Sequence, residues 1–253
     1  MSGWVQRLGR GVRAAAPYAF TLAVIAACCV VFVAEFVRDG LGLLNFLDEI
    51  SLDTLYAMGG LLVMPGQAVG EWSRLVTATF LHADIAHLAR NVAVIAGAGI
   101  ALERMAGKGG FLIAVAVSLF AGNAAAYAAH SGGGATIIVG ASGLAYGLVG
   151  AGLMSCALNR DHAEPLGDVR YFLYIAALCS LGSLFLVGDG SILAWLAGAS
   201  DETAISAHVG GLVAGAATMV VLPFRGTTAP LPARIAAALA IAAAFAAFLI
   251  IWG

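Results

Sequence analysis

The chain has 253 residues, 62% of them hydrophobic and only 10% charged, with a formal net charge of −2 and a mean hydropathy of +0.98. A soluble domain carries about 25% charged residues, so this composition excludes one and describes a membrane protein. The near-balanced charge, with no basic tract, gives no sign of a nucleic-acid partner.

A helix that crosses a bilayer needs about 20 apolar residues. Runs of that kind are Pro17–Val37, Ile85–Leu102, Phe111–Ala129, Ser142–Leu158, Tyr171–Val187, Ala204–Leu222 and Ile235–Trp252, so the expected fold class is an all-α polytopic membrane protein. The first run follows Arg7, Arg10 and Arg13, which is also how a signal peptide begins. Its length, the Glu35 near its end and Asp39 just after it, and the lack of a small-residue cleavage pattern favour a retained span behind a short cytoplasmic segment, residues 1–16. Alternating from a cytoplasmic N-terminus places Arg104, Lys108, Arg160, Arg170, Arg225 and Arg234 inside with the first three arginines. Only Arg38 and Arg74 fall outside, and Arg90 lies near the outer part of a span, as the positive-inside rule requires. Cys28, Cys29, Cys156 and Cys179 lie in apolar runs without metal or redox spacing and read as small core residues.

Residues 38–84 form the longest connection. Leu41–Leu47, Leu61–Met64 and Leu75–Leu81 are apolar but too short to span, which suits interfacial or re-entrant helices, with Trp72 at headgroup depth; a compact cap outside the membrane fits the same pattern. In the second run His87 and Asn91 are four residues apart and share a helix face, and polar groups at that depth are expected to face the bundle interior or a wet cavity. Glu103, Arg104, Lys108 and the glycines around them read as a turn at the inner end. Asn123 and Tyr127 are expected to make interhelical hydrogen bonds. His130 and His162 lie at a helix end and in an inner loop and are not candidate bases.

Ser142, in Gly140-Ala141-Ser142-Gly143, stands where a glycine-rich loop from Ser131 to Val139 turns into an apolar helix. A lone serine there is ordinarily an N-cap. Gly143, Gly147 and Ala151 in the fourth run, and Ala207, Gly211 and Gly215 in the sixth, form small-residue stripes that let two helices pack with their backbones close. Such packing leaves Ser142 and His208 side by side. A serine hydroxyl becomes a nucleophile when a base takes its proton, and histidine is the common base. The oxyanion of an acyl-transfer intermediate needs preorganised donors, which the Asn91 amide, the His87 imidazole and the Ser142 backbone N–H can supply. Tyr146, one turn after Ser142, can pack on the His208 ring. The sixth run places no acid to complete a triad, so the site reads as a dyad.

With those residues in view, Gly140-Ala141-Ser142-Gly143 resembles the G-x-S-G motif of the rhomboid intramembrane serine proteases. Ala207-His208 with Gly211 and Gly215 resembles their A-H-x-x-G-x-x-x-G, and His82, His87 and Asn91 resemble their H-x-x-x-x-H-x-x-x-N. Trp72-Ser73-Arg74 is similar to their outer-loop Trp-Arg motif, with one residue interposed. The resemblance runs from about Pro17 to Leu222. It implies Ser142 as nucleophile, His208 as base, His87 and Asn91 as oxyanion ligands, Gly140 as the residue that permits the loop turn, Tyr146 stacked on the base and His82 in an outer-loop hydrogen-bond network. It also implies a six-helix core, residues 17–222, with a water-accessible cavity opening outward and lateral entry of a substrate helix near the fifth span. Residues 223–253 resemble the extra helix of the six-plus-one subclass.

The expected activity is hydrolysis of a peptide bond in or near a transmembrane helix. The expected partners are a single-span membrane-protein substrate and membrane lipids, with no nucleic acid, cofactor or metal. The expected location is a bacterial inner membrane, because the N-terminus carries no evident organelle-targeting extension. Two other classes fit the residues less well. An inactive rhomboid-like protein that binds transmembrane clients ordinarily lacks the serine or histidine, and both are here. A transporter or channel needs polar groups along a path through the bilayer, whereas these cluster at one depth.

Overall fold

The structure, a computed structural model, describes residues 18–42, 45–64, 70–129, 134–158, 167–186, 202–222 and 230–236. Its elements are α1 (Ala19–Arg38), α2 (Leu52–Ala57), β1 (Leu61–Val63), α3 (Arg74–Thr77), a 3₁₀ turn (Ala78–Phe80), α4 (Ile85–Ala129), β2 (Thr136–Ile138), α5 (Ser142–Leu158), α6 (Gly167–Leu186) and α7 (Glu202–Val221). Residues 231–236 form a further helical segment. Among the described residues α1 and α4 are long and apolar enough to cross a bilayer, and Ser142–Leu158 and Ile205–Val221 are shorter apolar helices. The expected seventh span, Ile235–Trp252, lies outside the described residues except for its first two, as do His130 and His162.

The 45 residues of α4 contain the second and third expected spans, broken at Gly107, where φ is 70° and ψ 177°, a backbone region open in practice to glycine alone. The chain reverses there. A Cβ built on Gly99 would meet the Phe111 ring at 3.4 Å, whereas 12 residues of straight helix would separate the two by about 18 Å. Glu103, read as part of the turn at the inner end, lies in the helix just before that turn and is buried. Its carboxylate accepts from Phe20 N at 3.1 Å, Thr21 N at 2.8 Å and Thr21 Oγ1 at 2.7 Å. Tyr18 gives α1 no side-chain cap, so a carboxylate from α4 satisfies N–H groups that the first turn of a helix leaves unpaired.

Helix α5 is buried on nearly every side and packs against both α4 and α7. The two small-residue stripes meet in register: a Cβ on Gly211 would run into the Gly143 carbonyl, and one on Gly215 into the Gly147 carbonyl. Gly122 of α4 joins the same contact, its Cβ position lying 3.0 Å from Gly143 Cα and 3.2 Å from the Ala207 carbonyl. Outward faces are apolar: Val30, Val33 and Val37 on α1 and Tyr171, Phe172, Ile175 and Leu178 on α6 are exposed, as suits a surface that meets lipid rather than water. Cys28 is buried as expected, but Cys179 faces outward and is no core residue.

The long connection departs from the expectation of interfacial helices. Leu61–Val63 is a strand paired antiparallel with Thr136–Ile138, Leu61 opposite Ile138 and Val63 opposite Thr136, so the fold is helical with a two-stranded sheet rather than purely α. Leu61 and Val63 point into a small core with Leu75 and Ala78, against which Tyr127 and Ile138 pack. The expected apolar helix 75–81 is a single turn, α3, followed by the 3₁₀ turn. Arg74 holds this region together. Its Nη1 donates to the carbonyls of Tyr56 at 2.7 Å and Gly60 at 2.8 Å, its Nε pairs with Glu71 at 3.1 Å, and its guanidinium lies over the Tyr56 ring. Trp72 is exposed. At the start of α2 the Ser51 hydroxyl donates to Asp39, which, with Thr54, holds the Asp39 carboxyl below the usual carboxylate range.

Candidate active site

Four segments converge at the end of the bundle that carries the long connection. The first is the start of α4. Asp84 Oδ1 accepts from His87 N at 2.7 Å, a side-chain cap that fixes where the helix begins and so the direction of His87. Asn91 follows one turn later, buried, with its Nδ2 making no hydrogen bond among the described residues.

The second segment is the loop into α5. Gly140 has φ of +122° and donates its N–H to the Ala78 carbonyl at 2.9 Å. A Cβ there would sit 2.6 Å from Cε1 and Nε2 of His87 and 3.7 Å from Asn91 Nδ2, so the loop backbone lies directly against the imidazole and the amide. Two residues on, half-buried Ser142 opens α5, whose first N–H groups have no partner within the helix.

The third segment is α7. The His208 ring is stacked on Tyr146 of α5, with centroids 4.3 Å apart and planes 16° from parallel. His208 Nδ1 is buried and unbonded among the described residues, and His87 lies within electrostatic reach of the ring. The backbone contact of Gly143 with Ala207 and Gly211 puts the residue after Ser142 against the residue before His208.

The fourth segment is the long connection, which buttresses the others. His82 is fully buried, its ring set edge-on to His87 with centroids 5.2 Å apart, its Nδ1 donating to the Phe80 carbonyl at 3.2 Å and its backbone N–H to Glu35 at 3.1 Å. Burial, then the neighbouring His87, pushes the His82 imidazole down to about 4, so it is neutral at neutral pH. Asn123, expected to make an interhelical bond, does so to short elements of the long connection: it donates to the Leu75 carbonyl of α3 at 2.8 Å and to Thr79 Oγ1 of the 3₁₀ turn at 2.9 Å, fastening the connection to α4.

Ser142, His208, His87, Asn91, Gly140 and Tyr146 thus gather in one region. The supports that sequence reading missed are Glu35, Asp84 and the particular partners of Asn123. Asp84 carried a legible signal, an acid three residues before His87 at a helix start. Glu35 carried one too, as an ionisable group inside an apolar run. The partners of Asn123 are backbone and hydroxyl groups 44 and 48 residues away, which no spacing rule reaches. Among the described residues no group of three or more His, Cys, Asp or Glu could hold a metal.

Apolar outward faces around helices long enough to span, with polar side chains gathered inside one end, define an integral membrane protein. The family model described as Rhomboid domain matches residues 69–224, well over half of the chain. This protein belongs to the rhomboid family. It is 34% identical over 161 residues to rhomboid protease GluP of Bacillus subtilis (strain 168), a match covering 63% of this chain and 28% of that protein. It is 43% identical over 141 residues to YdcA of the same organism, itself only provisionally named a rhomboid protease, covering 52% of this chain and 70% of that one. The chain therefore spans little more than a quarter of GluP's length.

Proposed function

We propose that this protein is an intramembrane serine endopeptidase that hydrolyses a peptide bond in or near a transmembrane helix of a membrane-protein substrate. Ser142 Oγ attacks the scissile carbonyl while His208 takes its proton, then returns that proton to the leaving amine. Water, activated by the same imidazole, releases the acyl-enzyme. The Asn91 amide, the His87 imidazole and the Ser142 backbone N–H hold the oxyanion. Gly140 lets the loop press against these donors, and Tyr146 supports the base. That His208 Nδ1 is unbonded among the described residues agrees with a dyad steadied by a stacked ring rather than an acid-completed triad.

The observation that carries this reading is the contact of Gly143 with Ala207 and Gly211, which sets the first turn of α5 against the segment bearing His208. The relatives named as rhomboid proteases support the same reaction class. In this reading residues 17–222 form a six-span core, 38–84 its outer loop and 223–253 a seventh span, with a cytoplasmic N-terminus and a site opening to the far side of a bacterial inner membrane. A single-span substrate enters laterally beside α6. Its helix must unwind at the cut, because a helix hides its carbonyls in hydrogen bonds, so glycine or another helix-weakening residue near the scissile bond favours cleavage. No cofactor takes part.

The test is cleavage of a single-span reporter co-reconstituted with the full chain in liposomes, alongside labelling by a fluorophosphonate probe. Wild type cleaves and is labelled at Ser142; Ser142→Ala does neither, and His208→Ala folds but is not labelled. Equal cleavage by wild type and Ser142→Ala overturns the assignment.

A further inference from the structure

Helix α1 packs against α4 and touches the 3₁₀ turn, and it gives no residue to the site proposed above. Near its end, however, it carries Glu35, whose side chain is fully buried. Both carboxylate oxygens face one group, the backbone N–H of His82, at 3.1 and 3.3 Å. Val33 and Val37, two residues to either side and so on the opposite face of the helix, are exposed, which shows that Glu35 is turned inward. An ionisable group buried in an apolar helix is costly, and an apolar side chain would pack there without that cost. What the glutamate adds is the bond to residue 82.

His82 stands in a short segment that touches the site from three directions. Its ring, tied back to the Phe80 carbonyl, meets the His87 ring edge-on. Asp84 accepts the N–H of His87, and the Ala78 carbonyl accepts the N–H of Gly140. Residues 81–84 belong to no helix or strand, so no regular ladder of bonds fixes where they lie. Two bonds hold residues 82 and 83 from outside. The Ile50 N–H donates to the Ala83 carbonyl at 2.7 Å, from within the same long connection. Glu35 supplies the other, and it alone of the two stands on a long helix.

We propose that Glu35 is a positioning residue for the oxyanion donors: by holding the backbone of residue 82 it sets the His82 ring behind His87, and so couples this end of α1 to the site. This rests on the Ser142–His208 dyad and the oxyanion role of His87 proposed above. Donors to the oxyanion act in the transition state rather than in substrate binding, so the effect falls on the chemical step.

The experiment compares wild type with Glu35→Gln, which keeps an acceptor at full reach, and Glu35→Asp, which keeps the charge but withdraws the acceptor by one methylene. Glu103→Ala, which loosens the other end of α1, is the control. In the full reconstituted chain the rate of fluorophosphonate labelling at Ser142, kcat and KM on the single-span reporter, and the thermal midpoint are measured, with rates normalised to folded protein. Removing an oxyanion donor costs about 10²–10³ in rate, and displacing one costs part of that. Glu35→Asp is therefore expected to lose about tenfold in both labelling rate and kcat with KM within about twofold, while Glu35→Gln stays within about threefold of wild type and Glu103→Ala loses midpoint but not rate. Wild-type rates in Glu35→Asp with only its midpoint lowered overturn the proposal. So does a Glu35→Gln as slow as Glu35→Asp, or an equal slowing in Glu103→Ala. A wild type that neither labels nor cleaves fails the dyad itself, a result distinct from these.

Discussion

Replacing Gly140 with alanine meets two separate penalties. One is conformational: φ of +122° lies where a residue with a Cβ is strained by about 1–3 kcal/mol. The other is steric: the new Cβ would sit 2.6 Å from two atoms of the His87 ring, whereas carbon contacts settle at about 3.5–4.0 Å. The ring must therefore retreat by about 1 Å, toward a fully buried His82 that already meets it edge-on. Loss of one oxyanion donor costs about 10²–10³ in turnover, and Gly140→Ala is expected to lose about that much kcat. Gly107→Ala separates the two penalties. Its φ is also positive, at 70°, but nothing lies within 4 Å of a Cβ there, so it is expected to lose stability while keeping its turnover per folded molecule. Both variants are assayed by reporter cleavage in liposomes and by thermal unfolding in detergent. Turnover by Gly140→Ala within about threefold of wild type refutes the reasoning, and so does an equal loss in Gly107→Ala.

Three further outcomes follow from the packing and hydrogen bonds. Glu103→Ala removes the acceptor for three donors at the start of α1 and is expected to cost about 2–4 kcal/mol, read as a lowered unfolding midpoint; an unchanged midpoint would show that the cap is not needed. Gly211→Ala drives a methyl into the Gly143 carbonyl, backbone that cannot swing aside, so its cost should reach or pass the upper end of the ~1–3 kcal/mol usual for overpacking. Recovery of a folded, active Gly211→Ala protein in wild-type yield contradicts the close approach. The third outcome concerns acid. His82 has a folded value of about 4 against about 6.5 in an unfolded chain, so between those values the unfolded state binds more protons. Stability therefore rises with pH across that window, and about 3 kcal/mol present above pH 6.5 is lost as the pH falls toward 4. The stability difference between wild type and His82→Gln should shrink on acidification, and a gap that is the same at about pH 7 and pH 4.5 defeats the argument.

Much of this molecule is written in local pattern. Apolar run length located α1, both halves of α4, α5, α6 and α7 to within a few residues, because a span must meet its backbone needs within itself and so announces itself in consecutive residues. The glycine spacings in α5 and α7 likewise foretold which faces would touch. The strand Leu61–Val63 was not legible: three residues are too few to show a period, and its partner is more than 70 residues away. The cap that Glu103 supplies and the particular partners of Asn123 were not legible for a related reason, since a polar side chain states a need for partners without naming them.

By itself the sequence determined that the chain lives in a membrane, which segments are helices, and which serine, histidines and asparagine are candidates for chemistry, all properties of composition and short-range spacing. Only the tertiary structure decided that the Gly140 backbone lies against His87, that the His82 ring meets His87 edge-on, and that buried carboxylates pin both ends of α1. Those are contacts between segments far apart along the chain. Which of the many possible partners a buried donor finds is settled by the packing of whole helices, not by the residues beside it.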